Sequence, residues 1–175
     1  MTVVVNIFAG PGAGKSTVAA GLFYSLKKLG VEVELVTEYA KDRVWEGHDS
    51  IFGNQIYLFG KQYNRIFRLM DKVDVIVTDS PILLSAHYGN SMSKAFKDLV
   101  LEKHFELNSY NIFLKRDVDI DYKEEGRLHA LDEAISIDRE VELLLKENDI
   151  SYDDAYVGPR VVEDILYHIG MSDGF

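Results

Sequence analysis

The fold of this chain is decided by residues 3–17, which read Val3-Val4-Val5-Asn6-Ile7-Phe8-Ala9-Gly10-Pro11-Gly12-Ala13-Gly14-Lys15-Ser16-Thr17. The apolar run that ends at Phe8 predicts a buried strand, and the amphipathic pattern that begins near Lys15 predicts a helix. A glycine-rich turn between a strand and a helix, with Lys and Ser at its end, is typical of a phosphate-binding loop. Ala9 stands where the usual pattern has glycine, and this departure leaves Gly14-Lys15-Ser16 in the required positions.

Each residue type in this loop has a chemical reason to be there. Glycines let the backbone turn with its N–H groups facing inward, so that they form an anion-binding nest at a helix N-terminus. Lys15 adds a positive charge for the outer phosphates of ATP, and Ser16 offers a hydroxyl to Mg²⁺. A turn that only closes a corner between strand and helix would explain the glycines but not the Lys-Ser pair. The residues that we assign to the nucleotide in this loop are Gly10, Gly12, Ala13, Gly14, Lys15, Ser16 and Thr17.

Length and composition favour one globular domain. The chain has 175 residues, which suits a single domain. Its hydrophobic content of 47% and its 3 prolines argue against disorder. It contains no cysteine, which excludes disulfides, thiolate metal sites and cysteine catalysis. The formal charge of −10 opposes broad, sequence-independent binding to nucleic acid, and no apolar run reaches membrane-spanning length.

Strand and helix patterns alternate along the rest of the chain. Strands are predicted at residues 3–8, 31–36, 73–78, 110–114 and 152–157, and helices at residues 15–29, 40–46, 51–70, 91–107, 132–146 and 159–168. This alternation predicts an α/β fold: a single P-loop NTPase domain over residues 1–175, with a mostly parallel five-stranded sheet and helices on both faces. Parallel strands joined by right-handed crossovers end at one edge of the sheet, where ligands bind.

Two acidic residues follow predicted strands and should therefore lie beside the phosphate loop. Asp79 directly follows the apolar run 73–78. This is the position expected of a carboxylate that binds Mg²⁺ directly or through water. Glu38 follows the second strand, and a carboxylate near the γ-phosphate that the metal does not need can accept the proton of an attacking hydroxyl. Glu38 is our candidate general base, and a solvated glutamate at a strand end is an equally good interpretation of the pattern.

Residues 116–131 are polar and charged with little periodicity, which favours a lid over the phosphates. Arg116 and Arg127 lie in this segment, and a guanidinium there can stabilise the charge that develops on a transferring phosphoryl group. We assign Arg116 to binding of the nucleotide and Arg127 to catalysis. A solvated charged loop is the alternative interpretation.

Basic and aromatic residues also lie close to Glu38 in the sequence. Tyr39, Lys41, Arg43 and Trp45 form a group suited to stacking a base and contacting an anionic acceptor, although Trp45 alone fits a core position equally well. A second basic set, which suits either a local DNA-binding strip or a solvated helix face, consists of Lys61, Arg65 and Arg68. The five histidines show no metal-ligand spacing.

The chain resembles small P-loop kinases related to the ribosylnicotinamide kinase domain, especially virally encoded members. The resemblance rests on the segments 10–17, 34–42 and 73–81 and on Gly126-Arg127, and its most particular motif is Thr37-Glu38-Tyr39-Ala40-Lys41. Some of those viral members phosphorylate 5-hydroxymethyluracil within DNA, and others are known as ATPases. By position the resemblance implies phosphate and Mg²⁺ roles for Lys15 and Ser16, the acceptor hydroxyl for Glu38, the metal for Asp79 and the lid for Arg127.

Together these patterns predict an ATP- and Mg²⁺-dependent kinase that acts on a hydroxyl of a nucleoside-like acceptor, free or within DNA. The specific candidate implied by the resemblance is 5-hydroxymethyluracil in DNA. Three alternatives stay open: an NTPase that couples hydrolysis to a conformational or partner-binding change, a nucleoside monophosphate kinase that uses Lys41 and Arg43, and a nucleotide-binding regulatory subunit. We expect no membrane association and a cytoplasmic location, in the host if the protein is viral, and no pattern specifies an oligomeric state.

Overall fold

A five-stranded, all-parallel sheet forms the centre of the fold. The computed structural model describes residues 1–41, 53–89, 91–116 and 131–171. The strands are β1 (Val3–Phe8), β2 (Val33–Val36), β3 (Val75–Thr78), β4 (Ser109–Lys115) and β5 (Asp153–Tyr156). The helices with bounds in these ranges are α1 (Lys15–Lys28), α2 (Gln55–Phe67), α3 (Leu84–Tyr88), α4 (Lys94–Phe105), α5 (Leu131–Glu147) and α6 (Val161–His168).

The strand order β2-β3-β1-β4-β5 places β1 in the middle of the sheet. Val36 of β2 is level with Thr78 of β3, and Thr78 is level with Asn6 of β1. Because all pairs are parallel, the segments that follow these three residues leave the sheet at the same edge. The predicted α/β fold class is confirmed, and the strand order brings the phosphate loop, Glu38 and Asp79 to neighbouring positions on that edge.

Alternate residues of the central strands face two separate cores. Val5 and Ile7 of β1 pack with the buried face of α1 and with α6. Val4 and Phe8 point to the opposite face, where α2, α3, α4 and α5 cover the sheet. A strand buried on both faces has no polar side, which explains why β1 is apolar at every position except the buried Asn6 and shows no alternating pattern. Within the described ranges, no helix combines the length and the apolarity that crossing a bilayer requires.

The predicted elements agree with the structure except at their ends and at one short helix. α3 follows the Ser80-Pro81 turn and was not predicted, because five residues are too few to show a helical period. α2 begins at Gln55 and ends at Phe67, so it is shorter than the predicted 51–70. Residues 39–41 are helical, and most of the predicted helix at 40–46 lies outside the described residues.

A buried histidine makes the stability of this fold sensitive to acid. His104 of α4 is 2% exposed and lies edge-on to Phe8, and burial lowers its pKa to about 4. In the unfolded chain the imidazole takes up a proton near its ordinary pKa. In the folded protein it stays neutral until the pH falls to about 4. The free energy of unfolding should therefore fall by about 2 kcal/mol through this group between about pH 7.5 and about pH 5.

Urea unfolding of the wild type and of His104→Leu at both pH values measures this contribution. We expect the wild type to lose about 2 kcal/mol more than the variant on acidification. The other titrating groups, including His87, whose pKa burial lowers, are present in both proteins and cancel in the comparison. Equal losses in the two proteins would contradict the assignment.

Candidate active site

The phosphate loop has the backbone geometry of an anion nest. Gly12 and Gly14 adopt positive φ angles of 73° and 92°, which residues with a side chain rarely adopt. Gly14 is the N-cap of α1, which begins at Lys15. The first turn of α1 has no acidic residue, so its N-terminal N–H groups and dipole are left to attract an anion.

Lys15 lies over this loop and is held by it. Its Nζ donates hydrogen bonds to the carbonyl oxygens of Ala9 (2.9 Å) and Gly10 (2.8 Å). Burial lowers the pKa of Lys15, whereas the negative charges of Glu38 and Asp79 raise it. The strand order gives the geometric reason, because the segments that carry the loop lysine, Glu38 and Asp79 leave three neighbouring parallel strands at the same edge of the sheet.

Asp79 lies directly beyond β3 and is 5% exposed. Its Oδ1 is fully buried and has no hydrogen-bond partner among the residues that the structure describes. The turn behind it is fixed by Ser80, whose N–H donates to Oγ1 of Thr78 at 3.1 Å. A buried carboxylate oxygen without a protein donor is the kind of atom that a cation or its bound water satisfies.

Asp79 and Ser16 fit a Mg²⁺ site that is completed by water and phosphates better than they fit a metal site built from protein ligands alone. Among the described residues, no three Asp, Glu or His side chains cluster as a metal site. Mg²⁺ at phosphate sites uses one or two protein ligands, several waters and the phosphates of the substrate. One carboxylate and one hydroxyl, the latter exposed at the start of α1, match that requirement.

A contact that the sequence did not predict joins the phosphate loop to α5. Asp138 of α5 accepts a hydrogen bond from the backbone N–H of Gly10 and forms an ion pair with Arg116. Nη2 of Arg116 also donates to the carbonyl oxygen of Pro11. Arg116, predicted to bind the nucleotide, thus lies against the start of the loop. The only local signal for Asp138 is its position one turn after Ala134, a member of the buried stripe of α5.

Gly10 has no room for a side chain because of this contact. A Cβ there would lie 2.6 Å from the carbonyl oxygen of Ala134 and 2.9 Å from Oδ1 of Asp138. We expect Gly10→Ala to lower the free energy of unfolding by about 1–3 kcal/mol and to weaken ATP binding, since α5 or the loop has to move.

Gly60→Ala in α2 is the matched control for this substitution. A Cβ at Gly60 meets no atom within 4 Å, so the change should raise stability by about 0.5–1 kcal/mol. Urea unfolding and calorimetric titration with ATP compare the two variants. An unchanged ATP affinity and stability in Gly10→Ala would contradict the packing of α5 against the loop.

Tyr88, at the end of α3, is a second residue that sequence reasoning missed. Burial, together with the negative charges of Glu38 and Asp138, raises its pKa to about 12. No sequence signal identifies it, because the position depends on the unpredicted helix α3.

Other predicted site residues lie outside the described residues. These are Arg127, with the rest of the predicted lid between 117 and 130, and Arg43 and Trp45 of the basic and aromatic group. Their assignments remain predictions.

Comparison with known proteins identifies both the fold and the family. A deoxyadenosine kinase from M. mycoides with dATP bound superimposes with a TM-score of 0.55 at 18% identity, covering 95% of this chain and 99% of that chain. The same kinase with dCMP and dCDP gives a TM-score of 0.56 at 19% identity, covering 95% and 98%. The YorR protein of Bacillus subtilis, in complex with phosphorylated GDP, gives 0.57 at 16% identity, covering 96% of each chain.

No curated protein matches the sequence significantly. At these identities the structural likeness establishes the fold. The family model described as AAA domain matches residues 4–157, from β1 and the phosphate loop to the end of β5. Since this match covers most of the sequence, the chain belongs to the AAA domain family.

Proposed function

We propose that the protein is an ATP- and Mg²⁺-dependent kinase that transfers the γ-phosphate to a hydroxyl group of a nucleoside-like acceptor. The observation that carries this proposal is the convergence of Lys15, Glu38 and Asp79 at one sheet edge. A nucleotide-binding loop alone is compatible with any NTPase. Two acids beside the loop fit phosphoryl transfer, because Asp79 is suited to binding the metal and Glu38 can accept the proton of the acceptor hydroxyl.

The chemistry requires little covalent participation by the protein. The loop N–H groups and Lys15 bind the phosphates, and Ser16 and Asp79 would hold Mg²⁺, which neutralises charge on the phosphate oxygens when bound. Glu38 accepts the proton as the acceptor oxygen attacks the γ-phosphorus. The bond between that phosphorus and the bridging oxygen of ADP breaks, and ADP leaves.

Aromatic side chains next to Glu38 support a nucleoside-like acceptor. Tyr39 follows Glu38 directly, and its hydroxyl hydrogen-bonds with that of Tyr57 at 2.8 Å, with the two rings 5.9 Å apart. The guanidinium of Arg65 lies 5.0 Å from the ring centroid of Tyr39. Tyr39 itself is buried, at 9% exposed, so the surface offered to a nucleobase is that of Tyr57, which is 38% exposed, and of Arg65. Flat aromatic and guanidinium surfaces near the candidate base suit such stacking. The fold shared with a deoxyadenosine kinase agrees with this assignment.

The narrower candidate, 5-hydroxymethyluracil within DNA, rests on the resemblance to the viral kinases. Of the three basic residues predicted as a DNA-binding strip, Lys61 and Arg65 already make aromatic contacts, with Tyr57 and Tyr39 respectively, and Arg68 caps the C-terminal end of α2. The charge of −10 also opposes binding to a polyanion. We therefore favour a free nucleoside as the acceptor.

A screen with γ-labelled ATP tests the acceptor. Free nucleosides, nucleoside monophosphates, and DNA with and without 5-hydroxymethyluracil are offered separately at equal acceptor concentration. We expect label in the products of one or more free nucleosides. Label only in modified DNA would establish the narrower candidate, and label only in nucleoside diphosphates would establish a monophosphate kinase.

A further inference from the structure

A buried glutamine of α2 connects the two strand ends that carry the acids. Gln62 is 5% exposed and occupies a position in the buried stripe of α2, between Phe59 and Ile66. Its Oε1 accepts a hydrogen bond from the backbone N–H of Tyr39 at 3.0 Å. Its Nε2 donates to the carbonyl oxygen of Ser80 at 3.1 Å and, more weakly, to that of Thr37 at 3.4 Å.

These partners are the chain neighbours of the two predicted catalytic acids. Thr37 and Tyr39 stand on either side of Glu38, and Ser80 follows Asp79. One side-chain amide therefore joins the segment after β2 to the segment after β3. Strand pairing fixes these segments only as far as Val36 and Thr78, and the residues beyond rely on other contacts for their position.

A second side chain on the same helix face strengthens this connection. Arg65, one turn after Gln62, donates from Nη1 to the carbonyl oxygen of Thr37 at 3.1 Å. Two side chains of α2, Gln62 and Arg65, therefore donate to the carbonyl oxygen of the residue that precedes Glu38. Gln62 is costly to remove, because the N–H of Tyr39 and the carbonyl oxygen of Ser80 would lose the partner that it supplies, whereas the carbonyl oxygen of Thr37 would keep Arg65.

We infer that Gln62 is a positioning residue that sets the separation of Glu38 and Asp79 through the backbone of Tyr39 and Ser80. The inference rests on the proposed function, since it assigns the two acids their roles. Gln62 touches neither ATP nor the metal in this role. Its loss should therefore slow the chemical step and alter the response to Mg²⁺, and should leave the contacts of the phosphate loop with ATP intact.

Gln62→Met tests this role, because methionine has a similar length and makes none of the three hydrogen bonds. Displacing reacting groups by about 1 Å can cost about 100-fold in rate, so we expect kcat to fall roughly 30- to 100-fold. The KM for ATP should change less than about 3-fold, since phosphate-loop binding is common to ground and transition states. Gln62→Glu keeps the acceptor for Tyr39 but loses both donors, and it should also be impaired.

Asn111→Leu is the matched control. Asn111 of β4 is also a buried amide, and it donates to the carbonyl oxygen of Ser151 at 3.1 Å and accepts from Nδ2 of Asn6 at 3.0 Å. Its removal should destabilise the fold comparably and leave kcat within about 3-fold of wild type. A Gln62→Met protein that loses stability like the control but keeps the wild-type kcat would overturn the inference.

Calorimetric binding of ATP over a series of Mg²⁺ concentrations gives a readout that needs no acceptor. We expect Gln62→Met to require about 10-fold more Mg²⁺ for half-maximal enhancement of ATP binding, because its Asp79 is displaced. If the wild type phosphorylates no acceptor, the kinase proposal fails while this titration still tests Gln62. An unchanged Mg²⁺ dependence in the variant would then overturn the inference.

Discussion

Replacing Lys15 with alanine should lower kcat by about 1000-fold or more. The ammonium group lies over the phosphate loop, and the negative charges of three acids, Glu38, Asp79 and Asp138, raise its pKa against the effect of burial. It is the only described lysine that combines hydrogen bonds to the loop carbonyls with this position. Without Lys15 the loop keeps its N–H groups, but no ammonium group remains to stabilise the negative charge of the phosphoryl group during transfer.

Lys28→Ala is the control for this prediction. Lys28 ends the same helix and contacts Tyr24, far along the helix from the loop. Steady-state rates with a saturating acceptor, together with urea unfolding, should show a loss of turnover in Lys15→Ala and wild-type turnover in Lys28→Ala. Undiminished phosphoryl transfer by folded Lys15→Ala would refute the site.

Glu38→Gln should lower kcat by about 100- to 10000-fold and leave ATP affinity nearly unchanged. Glutamine has the size of glutamate but cannot accept the proton of the acceptor hydroxyl. The phosphates and the metal are assigned to other residues, so nucleotide binding should persist.

Glu34→Gln provides the matched control on the same segment. Glu34 of β2 is a half-exposed surface residue whose carboxylate lies 3.6 Å from Nζ of Lys27. A surface ion pair of this kind contributes little, so both kcat and stability should stay close to the wild type. A kcat for Glu38→Gln within about 3-fold of Glu34→Gln would contradict the general-base role and favour a solvated glutamate at a strand end.

The phosphate loop, the fold class and the convergence of the acids were predictable because each depends on local sequence and a general topological rule. The residues 3–17 specify strand, turn and helix by their own chemistry. Parallel strands with helical crossovers then place Glu38 and Asp79 near Lys15 without knowledge of the strand order.

The contacts that complete the site were not predictable, because each joins residues that are distant in sequence. Asp138 and Gly10 are 128 positions apart in the sequence, and the one local signal for Asp138, its position a turn after the buried Ala134, does not indicate which residue it contacts. The buried face of α2 does not follow hydrophobicity alone. Ile56 and Phe67 are 60% and 61% exposed, whereas Gln62 is buried. A hydrophobic pattern cannot predict that a polar residue is buried when its hydrogen-bond partners are backbone groups distant in the sequence.

The measurement that tests the central claim most directly is the fate of the γ-phosphate. Purified protein is given γ-labelled ATP and Mg²⁺ with and without the nucleoside that the acceptor screen identifies, and label is separated into free phosphate and phosphorylated acceptor. We expect the acceptor to stimulate ADP release strongly and to carry nearly all of the label. Label that appears only as free phosphate, at a rate that no acceptor changes, would contradict the kinase assignment and establish an NTPase.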